Sequence, residues 1–146
     1  MKLSTRSRYG LRMMTDLADN FGTNPVFLKD IAKREDISEK YLSLIVIPLR
    51  QAGLIQSTRG AHGGYSLTRV PDKITAQEIF DALEEVTCLV DCLANPGECS
   101  RSSICPTRDV WSMLGERIRE TLSAVTLAEL VKVRREKAQN NLMSDI

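Results

Sequence analysis

The residues of this 146-residue chain whose type and spacing could do chemistry are its four cysteines, which all fall within one stretch of eighteen residues. They are Cys88, Cys92, Cys99 and Cys105. Cysteine thiolates bind iron–sulfur clusters and zinc, and pairs of thiols form redox-active disulfides. The spacing C-x3-C-x6-C-x5-C matches neither the close pairs of most structural zinc sites nor the ferredoxin patterns. The residues alone leave all three chemistries open and favour the cluster.

Two predicted helices must position these cysteines. The capping box Thr75–Glu78 predicts a helix through about Val86, and Cys88 follows it, where a small buried apolar role is the alternative to ligation. Another helix is predicted from about Arg108, and its apolar seam has few remaining elements to pack against. A partner subunit would cover that seam, so we expect a homodimer. The seam consists of Trp111, Leu114, Ile118 and Leu122.

The first seventy residues predict a winged helix-turn-helix. Apolar residues recur at helical spacing in three segments, and Pro48 predicts a kink or a loosened last turn in the third. Two short β-like runs then flank a glycine-rich hairpin tip. The predicted elements are helices over about 4–21, 28–35 and 38–52 and β-like runs at 54–58 and 65–68. A winged helix-turn-helix is typical of DNA-binding proteins; a small α+β packing unit without nucleic acid is the alternative.

Several side chains of this half could contact DNA. Arg59 is followed by glycines, so its guanidinium can enter a minor groove while the backbone approaches the phosphates. Lys40 and Ser43 could face base edges, whereas Tyr41 is expected mainly to pack. His62 is interpreted as a backbone or groove contact before a metal ligand, and a solvated hairpin charge is the alternative for Arg59. The candidate DNA-binding residues are Ser38, Lys40, Tyr41, Ser43, Arg50, Arg59, Gly60, His62 and Gly64.

The charged residues also distinguish the first seventy residues from the rest of the chain. Residues 1–70 contain 11 Lys and Arg against 6 Asp and Glu, whereas residues 71–146 contain 9 against 13. A basic half suits a polyanion, and an acidic half suits a separate module. We therefore expect a DNA-binding domain over 1–70, and a loop (88–105) with dimerisation helices within 71–133. The polar segment 134–146 is expected to be a flexible tail.

Other function classes have little support. The longest apolar stretch, Leu44–Leu49, is far too short to span a bilayer, and charges interrupt the N-terminal segment where a signal peptide would be apolar. We therefore expect a cytoplasmic protein without a membrane partner. The sequence has no paired acid and base near a nucleophile, no P-loop and no dinucleotide fingerprint, so neither an enzyme nor a small-molecule substrate is expected.

Several motifs resemble the bacterial winged-helix iron–sulfur regulators of the IscR/NsrR type. They are Met1–Gly10, Tyr41–Leu42, Leu49–Leu54, Arg59–Tyr65 and the triplet Cys92, Cys99 and Cys105. The resemblance covers about residues 1–131. It implies a mainly α fold with a small β wing, a homodimer with a long dimerisation helix, and a cluster loop at the start of that helix. It also implies that Arg59 reaches the minor groove, that the third helix enters the major groove, and that the triplet binds the cluster.

The chain departs from this resemblance at the fourth cluster ligand. Arg108 stands where IscR-type members have a histidine, and Arg8 stands where NsrR-type members have an aspartate. Cys88 is then the candidate fourth ligand, and Asp91, Glu98, Asp109 or an exogenous ligand could replace it. The recognition helix has Ser43-Leu44 where IscR-type members have Glu-Gln, so their operator sequence does not transfer.

The expected function is a DNA-binding repressor or dual regulator. Through a [2Fe–2S] or [4Fe–4S] cluster it would sense iron–sulfur status, redox state or nitric oxide. The alternative is a zinc- or thiol-dependent winged-helix regulator or adaptor without a cluster.

Overall fold

The computed structural model describes residues 2–84 and 88–145. Seven α-helices and one two-stranded antiparallel sheet make up this part of the chain, which confirms the mainly α fold with a small β wing. Short 3-10 turns lie at Pro71–Lys73 and Pro96–Glu98. In chain order the elements are α1 (Thr5–Asp19), α2 (Leu28–Glu35), α3 (Glu39–Gln51), β1 (Ile55–Thr58), β2 (Gly64–Leu67), α4 (Ala76–Leu83), α5 (Asp91–Ala94), α6 (Pro106–Ala124) and α7 (Leu127–Ser144).

Helices α1, α2 and α3 form the helix-turn-helix around one apolar core. The turn between α2 and α3 passes through Asp36, which adopts the left-handed conformation at φ 50°, a conformation that Asp tolerates better than most residues. Helix α3 runs through Pro48 to Gln51, close to the predicted end at residue 52, and the kink or loosened last turn expected at Pro48 stays a prediction. Proline has no N–H, so the carbonyl of Leu44, four residues earlier, receives no helical hydrogen bond from Pro48. Leu44 is exposed, so water can donate to this carbonyl instead. Fully buried core side chains from these helices are Met13, Met14, Ile31, Leu42, Ile45 and Leu49.

Strands β1 and β2 form the wing, paired from Ile55 opposite Leu67 to Thr58 opposite Gly64. A third segment joins them, because Val26 and Tyr65 exchange backbone hydrogen bonds of 2.9 and 2.8 Å. No local sequence pattern predicts this bridge. It places the Val26 carbonyl directly against Gly64, whose φ is +136° and where an added Cβ would clash with that carbonyl oxygen. The glycine at the start of β2 is therefore required by packing.

Helices α4 and α7 begin side by side. Thr75 and Thr126 each open a capping box, and a backbone bridge joins the two residues. Ala76 N–H donates to the Val125 carbonyl at 2.9 Å, and Leu127 N–H donates to the Ile74 carbonyl at 3.0 Å. Both helices pack against α1. Of the predicted face of α4, Ile79 and Leu83 are buried, whereas Val86 lies outside the described residues.

The C-terminal segment is helical, because α7 continues to Ser144. Two of its cations pair with carboxylates on other helices. Arg134 lies 2.7 Å from Glu35 of α2 and 3.7 Å from Asp16 of α1, and Arg135 lies 2.8 Å from Asp19. The flexibility expected of the segment 134–146 stays a prediction. Across residues 2–84 and 88–145, the helices lack the length and apolarity that crossing a membrane requires.

Candidate nucleic-acid interface and cysteine loop

Helix α3 is positioned by its N-cap and by its buried face. The Ser38 hydroxyl accepts a hydrogen bond of 3.1 Å from the Tyr41 N–H, so its first role is to fix the start of the helix. Lys40 and Arg50 are exposed near the two ends of α3, and Ser43, also exposed, donates its hydroxyl hydrogen bond to the Lys40 carbonyl. Four of the predicted contacts are thus gathered on one short helix, and Ser43 would have to exchange this bond to contact a base.

Tyr41 is half-buried and packs, as the sequence reasoning favoured. Its ring meets the Tyr9 ring edge-on, with 5.6 Å between the centroids, and the Arg12 guanidinium lies 5.5 Å from the Tyr9 centroid. Tyr41 therefore joins α3 to α1. Sequence reasoning overlooked two exposed apolar residues on the same helix, Leu44 and Ile47. Leu44 lies four residues after Lys40, and Ile47 lies four residues after Ser43 and three before Arg50. Residues at these spacings share a helix face, so the pattern could have placed both apolar residues on the polar face of α3.

The wing tip carries exposed Arg59, Gly60 and His62. Gly60 has φ +107° with open space around it, so the turn needs glycine for its backbone conformation and the backbone is accessible. Gly64 lies half-buried against Val26 at the base of the wing, away from the exposed tip residues. The structure explains Gly64 by packing; a DNA contact for it stays a prediction.

The wing is fastened to the end of α3. Leu54 N–H donates to the Leu49 carbonyl at 3.1 Å, and the Thr68 hydroxyl donates to the Gly53 carbonyl at 2.6 Å. Helix α3 and the hairpin therefore move as one unit. Within the described ranges, Lys40, Arg50 and Arg59 form no ion pair, which leaves three exposed cations on this unit for a polyanion.

The four cysteines lie on the connection between α4 and α6. All are free and half-buried. Cys92 lies in the single turn of α5, Cys99 follows the 3-10 turn, and Cys105 is the N-cap residue of α6. In the part of the chain that the structure describes, His, Cys, Asp and Glu side chains do not gather in threes at distances that could hold a metal ion. The donor chemistry suits an iron–sulfur cluster, but the loop would have to draw its thiols together to bind one.

Cys105 is the most polarised of these thiols. Its sulfur lies 3.1 Å from the Thr107 hydroxyl, and this hydrogen bond, together with the Arg108 backbone N–H at the start of α6, lowers the pKa of Cys105 below its ordinary value. The Arg108 side chain donates to the Cys92 carbonyl at 3.3 Å. Arg108 therefore ties the middle of the loop to α6 at the position where IscR-type members were expected to have a histidine.

The other end of the loop is anchored at Glu84, which the sequence did not single out. The hydroxyls of Ser4 and Ser7 both donate to one Glu84 carboxylate oxygen. Burial alone would raise the pKa of Glu84, but these hydrogen bonds outweigh it and the pKa lies below the usual value. Glu84, the residue that follows α4, is thus held at the start of α1 by Ser4 and Ser7, which lie about eighty positions away in the sequence.

Helix α6 projects from this core. It is 19 residues long and none of its residues is buried. In the predicted seam Trp111 is 40% and Leu114 is 41% exposed, and Ile118 and Leu122 are half-buried. Val110 and Met113 widen the exposed apolar surface at 49% and 57%. The predicted seam therefore exists, and much of it faces away from the rest of the described chain.

Known proteins match this arrangement over most of its length. A family model for Rrf2, described as an iron-dependent transcriptional regulator, matches residues 3–133. Protein rrf2 of Nitratidesulfovibrio vulgaris is 43% identical over 132 residues, which cover 90% of this chain and 88% of that protein. The solved structure of CymR, the global cysteine regulator of Bacillus subtilis, has a TM-score of 0.76 and 39% identity, covering 91% of this chain and 98% of CymR.

The solved structure of IscR from T. potens has a TM-score of 0.77 and 39% identity, covering 94% of this chain and 90% of that one. The resemblance to IscR-type regulators is thereby confirmed, and so is the winged-helix fold. Relatives of this kind are transcriptional regulators, and the α3–wing unit has the exposed cations that DNA binding needs. The chain belongs to the Rrf2 family of winged-helix, DNA-binding transcriptional regulators.

Proposed function

We propose that this regulator binds its operator as a homodimer and that its cysteine loop holds an iron–sulfur cluster, [2Fe–2S] or [4Fe–4S], that sets operator affinity. The observation that carries the proposal is the placement of four free cysteines on one connection, which runs from Glu84, held against α1, to Cys105, the N-cap residue of α6. We expect the protein in the cytoplasm, where a bacterial chromosome lies.

Cys92, Cys99 and Cys105 are the proposed ligands, with Cys88 as the fourth. A bound cluster would supply iron and sulfide that react to iron supply, oxidants or nitric oxide. The chain's own contribution is the loop, which must draw its thiols together. Because Cys105 is the N-cap residue of α6 and Arg108 holds the Cys92 carbonyl, such a rearrangement would act directly on the start of α6.

The proposed dimer buries the exposed seam of α6 against the same seam of a second copy. Four apolar side chains within two turns of this helix are 40% or more exposed, which is costly for a helix that stays in water. They are Val110, Trp111, Met113 and Leu114. In a two-fold dimer the separation and angle of the two α3 helices follow from the α6 contact, and half-sites lie about 34–36 Å apart. Loop state and operator affinity are thereby linked.

The cluster is tested by purifying the protein without oxygen and measuring its absorbance, iron, sulfide and zinc. We expect a brown protein with near-equal iron and sulfide, and loss of colour on replacing Cys92, Cys99 or Cys105 with Ala. Ser102→Ala, in the same loop, is the matched control and should keep the colour. A colourless protein that holds one zinc after cluster reconstitution would refute the cluster.

The DNA contact is tested at the wing. Arg59→Ala should weaken operator binding by ~1–3 kcal/mol, which is about 5- to 150-fold, if the guanidinium enters the minor groove. Lys132→Ala removes an exposed cation from α7 and should leave the affinity nearly unchanged. Equal effects of the two substitutions would show that Arg59 is only a solvated charge.

A thiol-dependent regulator without a cluster is the second candidate. Two observations favour it: the thiols are not gathered in threes within the described ranges, and the pKa of Cys105 is lowered, so more of this thiol is the reactive thiolate at neutral pH. Metal-free protein whose operator affinity changes on oxidation and recovers on reduction would support this candidate. Metal-free protein that is indifferent to oxidants would refute it.

A further inference from the structure

The outward face of α3 carries an apolar pair. Leu44 is 58% and Ile47 is 50% exposed, although both are aliphatic residues on a helix that lies against a well-filled core. Counting from Lys40, Ser43, Leu44 and Ile47 follow at i+3, i+4 and i+7, so the four share one face. The opposite face is buried and consists of Leu42, Ile45, Val46 and Leu49. The apolar pair is thus directed away from the protein core.

The surroundings of this pair fit a nucleic acid. Lys40 precedes it and Arg50 follows it on the same helix; both are exposed, and among the described residues neither forms an ion pair. Arg6 and Tyr41 line the open groove beside it. An apolar patch framed by unpaired cations is unsuited to an apolar protein partner, since the cations would be desolvated without compensation. Against DNA the cations meet phosphates.

The groups that bases present in the major groove limit which base this apolar pair can recognise. Of the four bases only thymine presents a methyl group there, and an aliphatic side chain can pack on that methyl but cannot hydrogen-bond to the other base edges. Leu44 is the sixth residue of α3, about 7.5 Å along the axis from the first, at a rise of ~1.5 Å per residue. Ile47 is about 12 Å along. Because recognition helices contact bases with their N-terminal residues, Leu44 is the better placed of the two.

We propose that Leu44 is a specificity-determining residue that reads a thymine in each half-site by packing against its 5-methyl group. The inference rests on the proposed function, in which α3 enters the major groove of an operator. It differs from a hydrogen-bonding readout at the same position because the recognised group is a methyl and not a polar base edge.

The probe is a duplex selected from a random-sequence pool by the purified protein, together with copies in which deoxyuridine replaces thymidine one symmetric pair at a time. Deoxyuridine lacks only the 5-methyl group. At one pair of positions we expect about fourfold weaker binding per half-site, since burying one methyl is worth ~0.8 kcal/mol. Leu44→Ala should bind the thymidine and deoxyuridine duplexes equally at that pair. Ile47→Ala, the matched control, should keep the deoxyuridine penalty there.

The binding results can be interpreted only if the two variants fold like the wild type. Both substitutions lie at exposed positions, and alanine favours the helix, so circular dichroism should show unchanged folding. A selected duplex with no deoxyuridine effect, or with an effect that persists in Leu44→Ala, would overturn the inference and leave the proposed function intact. Failure to select any specific duplex would refute the proposed operator binding and the inference with it.

Discussion

Replacing Asp16 with Asn tests the ion pairs that join α1 to α2 and α7, in which Asp16 meets Arg34 and Arg134. The Asp16 carboxylate is 1% exposed, and Arg34 donates to its two oxygens at 2.8 Å each. This bond to Asp16 also raises the pKa of Arg34, although desolvation opposes the rise. Removing one partner of a fully buried pair costs about 3–5 kcal/mol. Because 42% of the Arg34 side chain is exposed, water can solvate the freed guanidinium, so we expect about 2–3 kcal/mol.

The assay is urea unfolding followed by far-ultraviolet circular dichroism at one fixed protein concentration, since a dimer makes apparent stability depend on concentration. Asp19→Asn is the matched control: its carboxylate is 29% exposed and pairs with Arg134 and Arg135, so the loss should stay below ~1 kcal/mol. The reasoning is refuted if Asp16→Asn costs no more than Asp19→Asn, because burial would then not govern the strength of these pairs.

Three further outcomes are expected. Gly64→Ala should destabilise the fold by about 2 kcal/mol or more, whereas Gly60→Ala, strained but in open space, should cost about 1 kcal/mol; thermal unfolding that ranks them the other way would contradict the packing argument. Hydrogen bonds outweigh burial and hold the pKa of Glu84 below its ordinary value, so the stabilisation by this carboxylate should be complete above about pH 5 and be lost as the pH falls through the lowered pKa. Glu84→Gln should weaken this acid dependence of the unfolding free energy. Ser38→Ala should lose ~1 kcal/mol of stability through its cap, and an unchanged value would show that the cap is dispensable.

Local signals accounted for the parts of the fold that local physics controls. The capping box at Thr75 marked a helix start that the structure shows. The glycine-rich segment between two alternating runs marked the hairpin, whose register runs from Ile55 to Thr58. Each of these signals lies within a few residues of the feature it predicts, and hydrogen bonds at that separation depend little on the rest of the molecule.

Contacts between distant segments were not predictable from the same patterns. Arg134 and Arg135 pair with Asp16, Asp19 and Glu35 on other helices, and the polar sequence around these arginines gives no sign of such partners. The bridge from Val26 to Tyr65 joins residues about forty positions apart. For the cysteines, the spacing left cluster, zinc and disulfide chemistry open and did not predict the distances between the thiols, because a loop of given length can hold them apart or together.

The backbone bridge between Thr75 and Thr126 joins the starts of α4 and α7. The segment between these two helices, residues 84–126, is therefore an excursion whose two ends both lie at the core. The chain leaves the core after Leu83 and returns at Leu127, and in the described part of this excursion no hydrophobic side chain is fully buried. Apart from Glu84, which accepts hydrogen bonds from Ser4 and Ser7, substitutions in the excursion therefore leave the buried apolar core intact. Cysteines can be gained, lost or respaced there at little cost to the stability of that half. The chemistry of the cysteine loop is thus free to diverge while the DNA-binding scaffold stays the same.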